Sequence, residues 1–74
     1  MTEEKKFKII EELVSTRING NSIKGNKTYE NMLRRISIQD IIDFAKTYFY
    51  KWGLSKVNRK IDLIESIVDH IKNS

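Results

Sequence analysis

Apolar residues recur along this chain at helical spacing, and polar turn residues cut the pattern into four segments. Phe7, Ile10, Leu13, Val14 and Ile18 fall on one face and predict a helix from about Glu3 to Ile18. Thr2 can cap it, Glu3 and Glu4 suit the positive end of its dipole, and Asn19-Gly20 ends it. Tyr29, Met32, Leu33 and Ile36 stand at i, i+3, i+4, i+7 and predict a short second helix, Tyr29 to Ile36, with Thr28 as its cap and a core-facing stripe. Ser37 opens the third helix, with Asp40 three residues on as a capping-box partner. Ile38, Ile41, Ile42, Ala45, Tyr48, Phe49 and Trp52 continue that helix over four turns. Gly53 is placed to end it in the left-handed conformation, with Leu54 folding back in a Schellman ending. The fourth helix is expected from about Arg59 to Lys72 behind an Asn58 cap, with Ile61, Ile64, Ile67, Val68 and Ile71 on one side and Leu63 beside them.

Between the first two helices, NGNSIKGNK (19–27) is turn chemistry and reads as a flexible loop. Asn19-Gly20 could instead close a small hairpin between Thr16–Ile18 and Asn21–Ile23. The expected fold class is all-α. Residues 1–74 form one domain, with a helical extension over 1–36. The six residues between Trp52 and Arg59 make the third and fourth helices close neighbours.

Composition narrows the chemistry. A chain of 74 residues buries only about 60% of its unfolded surface, which leaves little room for an enclosed active site. There is no cysteine and a single histidine, His70, so disulfides, thiolate sites and paired-histidine zinc motifs are excluded. No cofactor is expected. Ser/His/Asp and Cys/His arrangements are missing, and GNSIKGNKT lacks the Gly-Lys-Ser/Thr ending of a phosphate loop, so an enzyme is the least favoured class. The pairs Asp40/Asp43 and Asp62/Glu65 read as solvated helix surface rather than cation sites, and His70 as a surface residue suited to a helix C-terminus. No apolar run is long enough to span a bilayer, and MTEEKKFKII has no signal-like apolar core. These features point to an intracellular protein, nuclear in a eukaryote and otherwise cytoplasmic.

Charge distribution says more than the net +4. From Phe44 to Lys60 there are five basic residues (Lys46, Lys51, Lys56, Arg59, Lys60) and no acid. Cations at a helix start are locally unfavourable, because that end already carries partial positive charge. Lys56, Arg59 and Lys60 crowd such a start, and the arrangement makes sense if phosphate binds there. Of the aromatics, Tyr48, Phe49 and Trp52 share the apolar stripe and are expected in the core. Tyr50 is expected at the surface, where with Phe44 it could form a docking patch.

Within Ser37–Ile71, Gly53-Leu54-Ser55 is followed without a gap by Asn58, Lys60, Leu63-Ile64 and Ile67. This spacing resembles the SAP motif, a helix-extended loop-helix module of chromatin, DNA-repair and RNA-processing proteins. The resemblance covers 35 of the 74 residues; Asn58 stands where a second glycine is usual and Ser66 where arginine is frequent. It implies non-catalytic binding of double-stranded DNA, often AT-rich, with RNA as an alternative, in a monomer that tethers a larger assembly. On that basis Lys56, Arg59 and Lys60 would meet phosphates, Ser55 and the amides after Asn58 would assist, and Lys51 and Lys46 would extend the patch. Two other classes stay open. One is a protein-interaction module that docks a partner through its N-terminal helices. The other is a helix-turn-helix regulator, disfavoured because Asp62, Glu65 and Asp69 stud the fourth helix.

Overall fold

The computed structural model describes residues 2–49 and 59–73, and the chain is all-α, with four helices and no strand among those residues. The first, α1, runs Glu3–Ile18. The Thr2 hydroxyl accepts from the Lys5 amide at 3.3 Å, and Glu3 and Glu4 complement the dipole. At the other end the Asn21 amide donates to the Thr16 carbonyl and the Gly20 amide to that of Arg17, both at 3.0 Å. With Gly20 at φ +84°, this is a Schellman ending. The Asn19-Gly20 pair therefore closes a helix rather than a hairpin.

The segment read as a flexible loop carries anchors that its polar composition did not show. Ile23 is 1% exposed and sits in the core. The Asn26 amide donates to the Ile23 carbonyl at 3.2 Å, with Gly25 at φ +89° supplying the positive φ of the turn. The Arg17 guanidinium donates to the Asn21 carbonyl and the Ser22 hydroxyl to that of Lys24, each at 2.9 Å.

The second helix, α2, spans Lys27–Arg34, two residues earlier than expected. Asn26, not Thr28, is the cap: its Oδ1 accepts from the amides of Thr28 and Tyr29 at 3.0 and 3.3 Å. Asparagine caps at least as well as threonine, so the earlier start wins. Ile36 falls outside the helix and is buried in the connection to α3, while Tyr29, Met32 and Leu33 are only half-buried. The expected core-facing stripe of α2 thus lies along the edge of the core.

The third helix, α3, spans Ile38–Phe49 within the described residues. Its capping box is reciprocal: the Asp40 amide donates to the Ser37 hydroxyl at 3.1 Å, and the Ser37 amide to the Asp40 carboxylate at 2.8 Å. The buried face of α3 is Ile41, Phe44 and Ala45. Phe44 is thus a core residue rather than half of a docking patch, whereas Tyr48, expected in the core, is 56% exposed. Both rings pack on Phe7, with centroids 5.5 and 6.1 Å away. Tyr48 also borders the charged side chains of Glu3, Glu4, Lys8 and Glu11.

The fourth helix, α4, spans Lys60–Lys72 with Arg59 at the N-cap, one residue later than expected. Leu63, Ile64, Ile67 and Val68 are buried along it. Tyr50, Trp52, and the Schellman ending expected at Gly53-Leu54 lie outside the described residues, as do Lys51, Ser55, Lys56 and Asn58. One hydrophobic cluster joins α1, α3 and α4 with Ile23 and Ile36, and α1 packs against all three other helices. Each large side chain so buried contributes about 1.5–3 kcal/mol. The first 36 residues are therefore integral to the fold.

Candidate polyanion interface

The start of α4 is built without a side-chain cap. Arg59 is extended, at φ −118° and ψ 136°, and its own carbonyl accepts from the Leu63 amide at 3.0 Å. The guanidinium is exposed. Lys60 points elsewhere: its ammonium donates to the Leu33 carbonyl in the last turn of α2 at 3.2 Å and is partly buried. A helix C-terminus carries partial negative charge and unpaired carbonyls, so it is a favourable place for a cation. The cost of a lysine in the first turn of α4 is thereby offset inside the molecule.

This contact brings α4 against α2 and the preceding loop, and a groove of about 420 Å³ runs between them. Ile23, Leu33 and Ile61 line its apolar part; Lys24, Arg59 and Lys60 line its cationic part. Glu30 is its one acid, and that carboxylate accepts from the Gly25 amide at 3.0 Å. The turn at Gly25 and the burial of Ile23 hold Lys24 at the groove.

Two ion pairs occur among the described residues, and both lie on α1. Lys6 meets Asp40 at 3.6 Å, and Arg17 meets Glu65 at 2.6 Å. No described carboxylate pairs with Lys24, Arg59 or Lys60. Asp40 is held below the usual carboxylate range. Partial burial acts to raise it, but the Ser37 amide and hydroxyl and the Lys6 ammonium outweigh that effect.

Of the residues singled out in the sequence, the structure brings Arg59 and Lys60 together at this groove. Lys46 is exposed in the last turn of α3 and does not line it. Ser55, Lys56, Asn58 and Lys51 fall outside the described residues. Lys24 was missed: its only signal was a lysine between a lone isoleucine and a glycine in a turn. His70 packs edge-on against the Phe49 ring at 5.2 Å, near the C-terminus of α4. Among the described residues no three His, Cys, Asp or Glu side chains gather to hold a metal ion, and no helix is long and apolar enough to cross a membrane. Comparison of the chain with family models, curated proteins and solved structures finds no match.

Proposed function

We propose that this protein is a non-catalytic DNA-binding accessory module that grips the duplex backbone with low sequence selectivity and tethers a larger assembly. The observation that carries this reading is the convergence of Lys24 and Arg59 on one groove, with no described carboxylate paired to either, beside Lys60, whose ammonium is held by the Leu33 carbonyl. Cations without an internal carboxylate partner, Lys24 and Arg59, are available to displace counterions from phosphates, the main source of sequence-independent affinity. The apolar residues between them suit the sugar edges of the same backbone. The SAP-like spacing around Gly53-Leu54-Ser55 points to the same partner and adds the preference for AT-rich duplex. In a eukaryotic cell the assembly would be chromatin and the compartment the nucleus.

A recognition helix in the major groove fits less well. Asp62 and Asp69 are exposed on α4 and would face the phosphates that such a helix lies between. Backbone contacts position a protein without reading sequence, which matches an accessory role.

Anisotropy of a labelled AT-rich duplex across a salt series tests the proposal. Binding that weakens linearly in log[salt], with R59Q flattening the slope by about one, supports it. Absence of binding at about 20 mM salt, or affinity indifferent to salt, overturns it and brings the protein-interaction reading forward.

A further inference from the structure

We infer that α2 supplies a second row of phosphate contacts, so the nucleic-acid face spans α2 and the start of α4 and draws much of its charge from the first 36 residues. This inference rests on the DNA-binding reading and assigns a role to a segment that the SAP resemblance leaves unexplained.

Lys27, Asn31 and Arg34 stand at i, i+4 and i+7 on α2, so they share one face over two turns, about 10 Å along the axis. All three are exposed, as is Arg35 at the end of the helix. The Asn31 side-chain oxygen, Oδ1, accepts from the Arg34 guanidinium at 3.2 Å, which holds the arginine along the stripe. The one acid of α2, Glu30, is turned toward the loop, where it accepts from the Gly25 amide. No described carboxylate pairs with Lys27, Arg34 or Arg35.

The row is joined to the groove. Arg34 and Arg35 directly follow Leu33, whose carbonyl holds the Lys60 ammonium. The tether therefore sets the C-terminal end of α2, where Arg34 and Arg35 stand, against the start of α4. The band holds three cations from α2 and its end, two from the start of α4 and one from the loop, against two acids, Glu30 at the groove and Asp62 in the first turn of α4. By contrast, the exposed surface of α1 is mixed, with Glu3, Glu4, Glu11 and Glu12 interspersed with Lys5 and Lys8. A duplex backbone presents an extended line of phosphates, and an acid-poor band crossing two elements matches that shape better than a point site at one helix end.

The test compares R34Q/R35Q, the conservative R34K/R35K and the distant K8Q with the parent chain on one labelled duplex. R34Q/R35Q is expected to flatten the salt slope by about two and weaken binding at 50 mM salt at least about tenfold. R34K/R35K should restore the slope, since backbone contacts need charge rather than a planar fork, and K8Q should leave it unchanged. Weakening by R59Q with no effect of R34Q/R35Q overturns the α2 row and leaves the DNA-binding reading standing. Failure of the parent chain to bind overturns both. If R34Q/R35Q loses helical circular dichroism, chemical shifts of the parent chain on adding duplex decide. Shifts at Lys27, Asn31 and Arg34 support the row, and shifts confined to α4 overturn it.

Discussion

The Lys60 ammonium and the Leu33 carbonyl meet at 3.2 Å, joining the first turn of α4 to the last turn of α2 across 27 positions of sequence. Two neighbouring cations therefore have different duties. Arg59 is exposed and has no described carboxylate partner, whereas Lys60 holds two helix ends together. A charged hydrogen bond at a half-buried site is worth about 1 kcal/mol or somewhat more. K60M should lower the melting temperature by about 4–8 °C in a domain this small. R59Q should change stability by less than about 0.5 kcal/mol while flattening the salt slope of DNA binding. Melting curves of both variants beside their duplex titrations check this. Equal stability losses would remove the distinction between tether and contact.

Asp40 gives the fold a defined response to acid. Its carboxyl lies below the usual range because the Ser37 donors and Lys6 outweigh the effect of partial burial. The unfolded chain thus takes up this proton more readily than the folded one. The stabilisation is complete above the unfolded value of about 4 and is lost as the pH falls through the lower folded value. D40N keeps an acceptor for the Ser37 amide but removes the charge, and should cost about 0.5–1 kcal/mol at pH 7. Melts of the parent and D40N at pH 7 and near pH 3 check the sign: the gap should narrow in acid. A gap of constant size would mean that the carboxylate charge contributes nothing.

Features governed by neighbours in sequence were legible in it. The Thr2 cap, the Ser37/Asp40 capping box and the Gly20 ending each bond a side chain or glycine to backbone a few residues away, so residue type alone nearly specifies them. The apolar face of α4 was equally plain, since Ile64, Ile67 and Val68 repeat at helical spacing. What escaped depends on contacts distant in the chain. Ile23 stands alone among turn residues, and nothing local says that it enters the core. The one local miss is the cap of α2: Asn26 and Thr28 are both good caps two residues apart, and the use of Asn26 moved the helix and turned Ile36 into a buried linker residue. At the site, the sequence showed Arg59 and Lys60 as one basic cluster. It could not show that the end of α2 claims Lys60, or that Lys24 lines the same groove.

The exchange of Phe44 and Tyr48 was hidden for a similar reason and yields the sharpest stability contrast. Both lie toward α1, and helical periodicity gives them nearly equal claims on the core. What separates them is their place on that face: Phe44 is buried inside the core cluster, whereas Tyr48 stands at its exposed edge and also borders Glu3 and Glu4. Tyr48 keeps edge-on contact with Phe7 and a tilted contact with Phe44, at centroid distances of 6.1 and 4.8 Å. Such contacts are worth about 0.5–1.5 kcal/mol, so Y48A should cost about 1 kcal/mol. Ile64 is fully enclosed, and I64A removes buried methylenes and leaves a cavity. That change should cost about 2–5 kcal/mol. Small domains sit near the low end of natural stability, about 5 kcal/mol, so I64A should leave much of the chain unfolded at 37 °C while Y48A stays folded. Urea denaturation of the two variants measures the difference, and comparable losses would mean that the Tyr48 ring is packed as deeply as the core of α4.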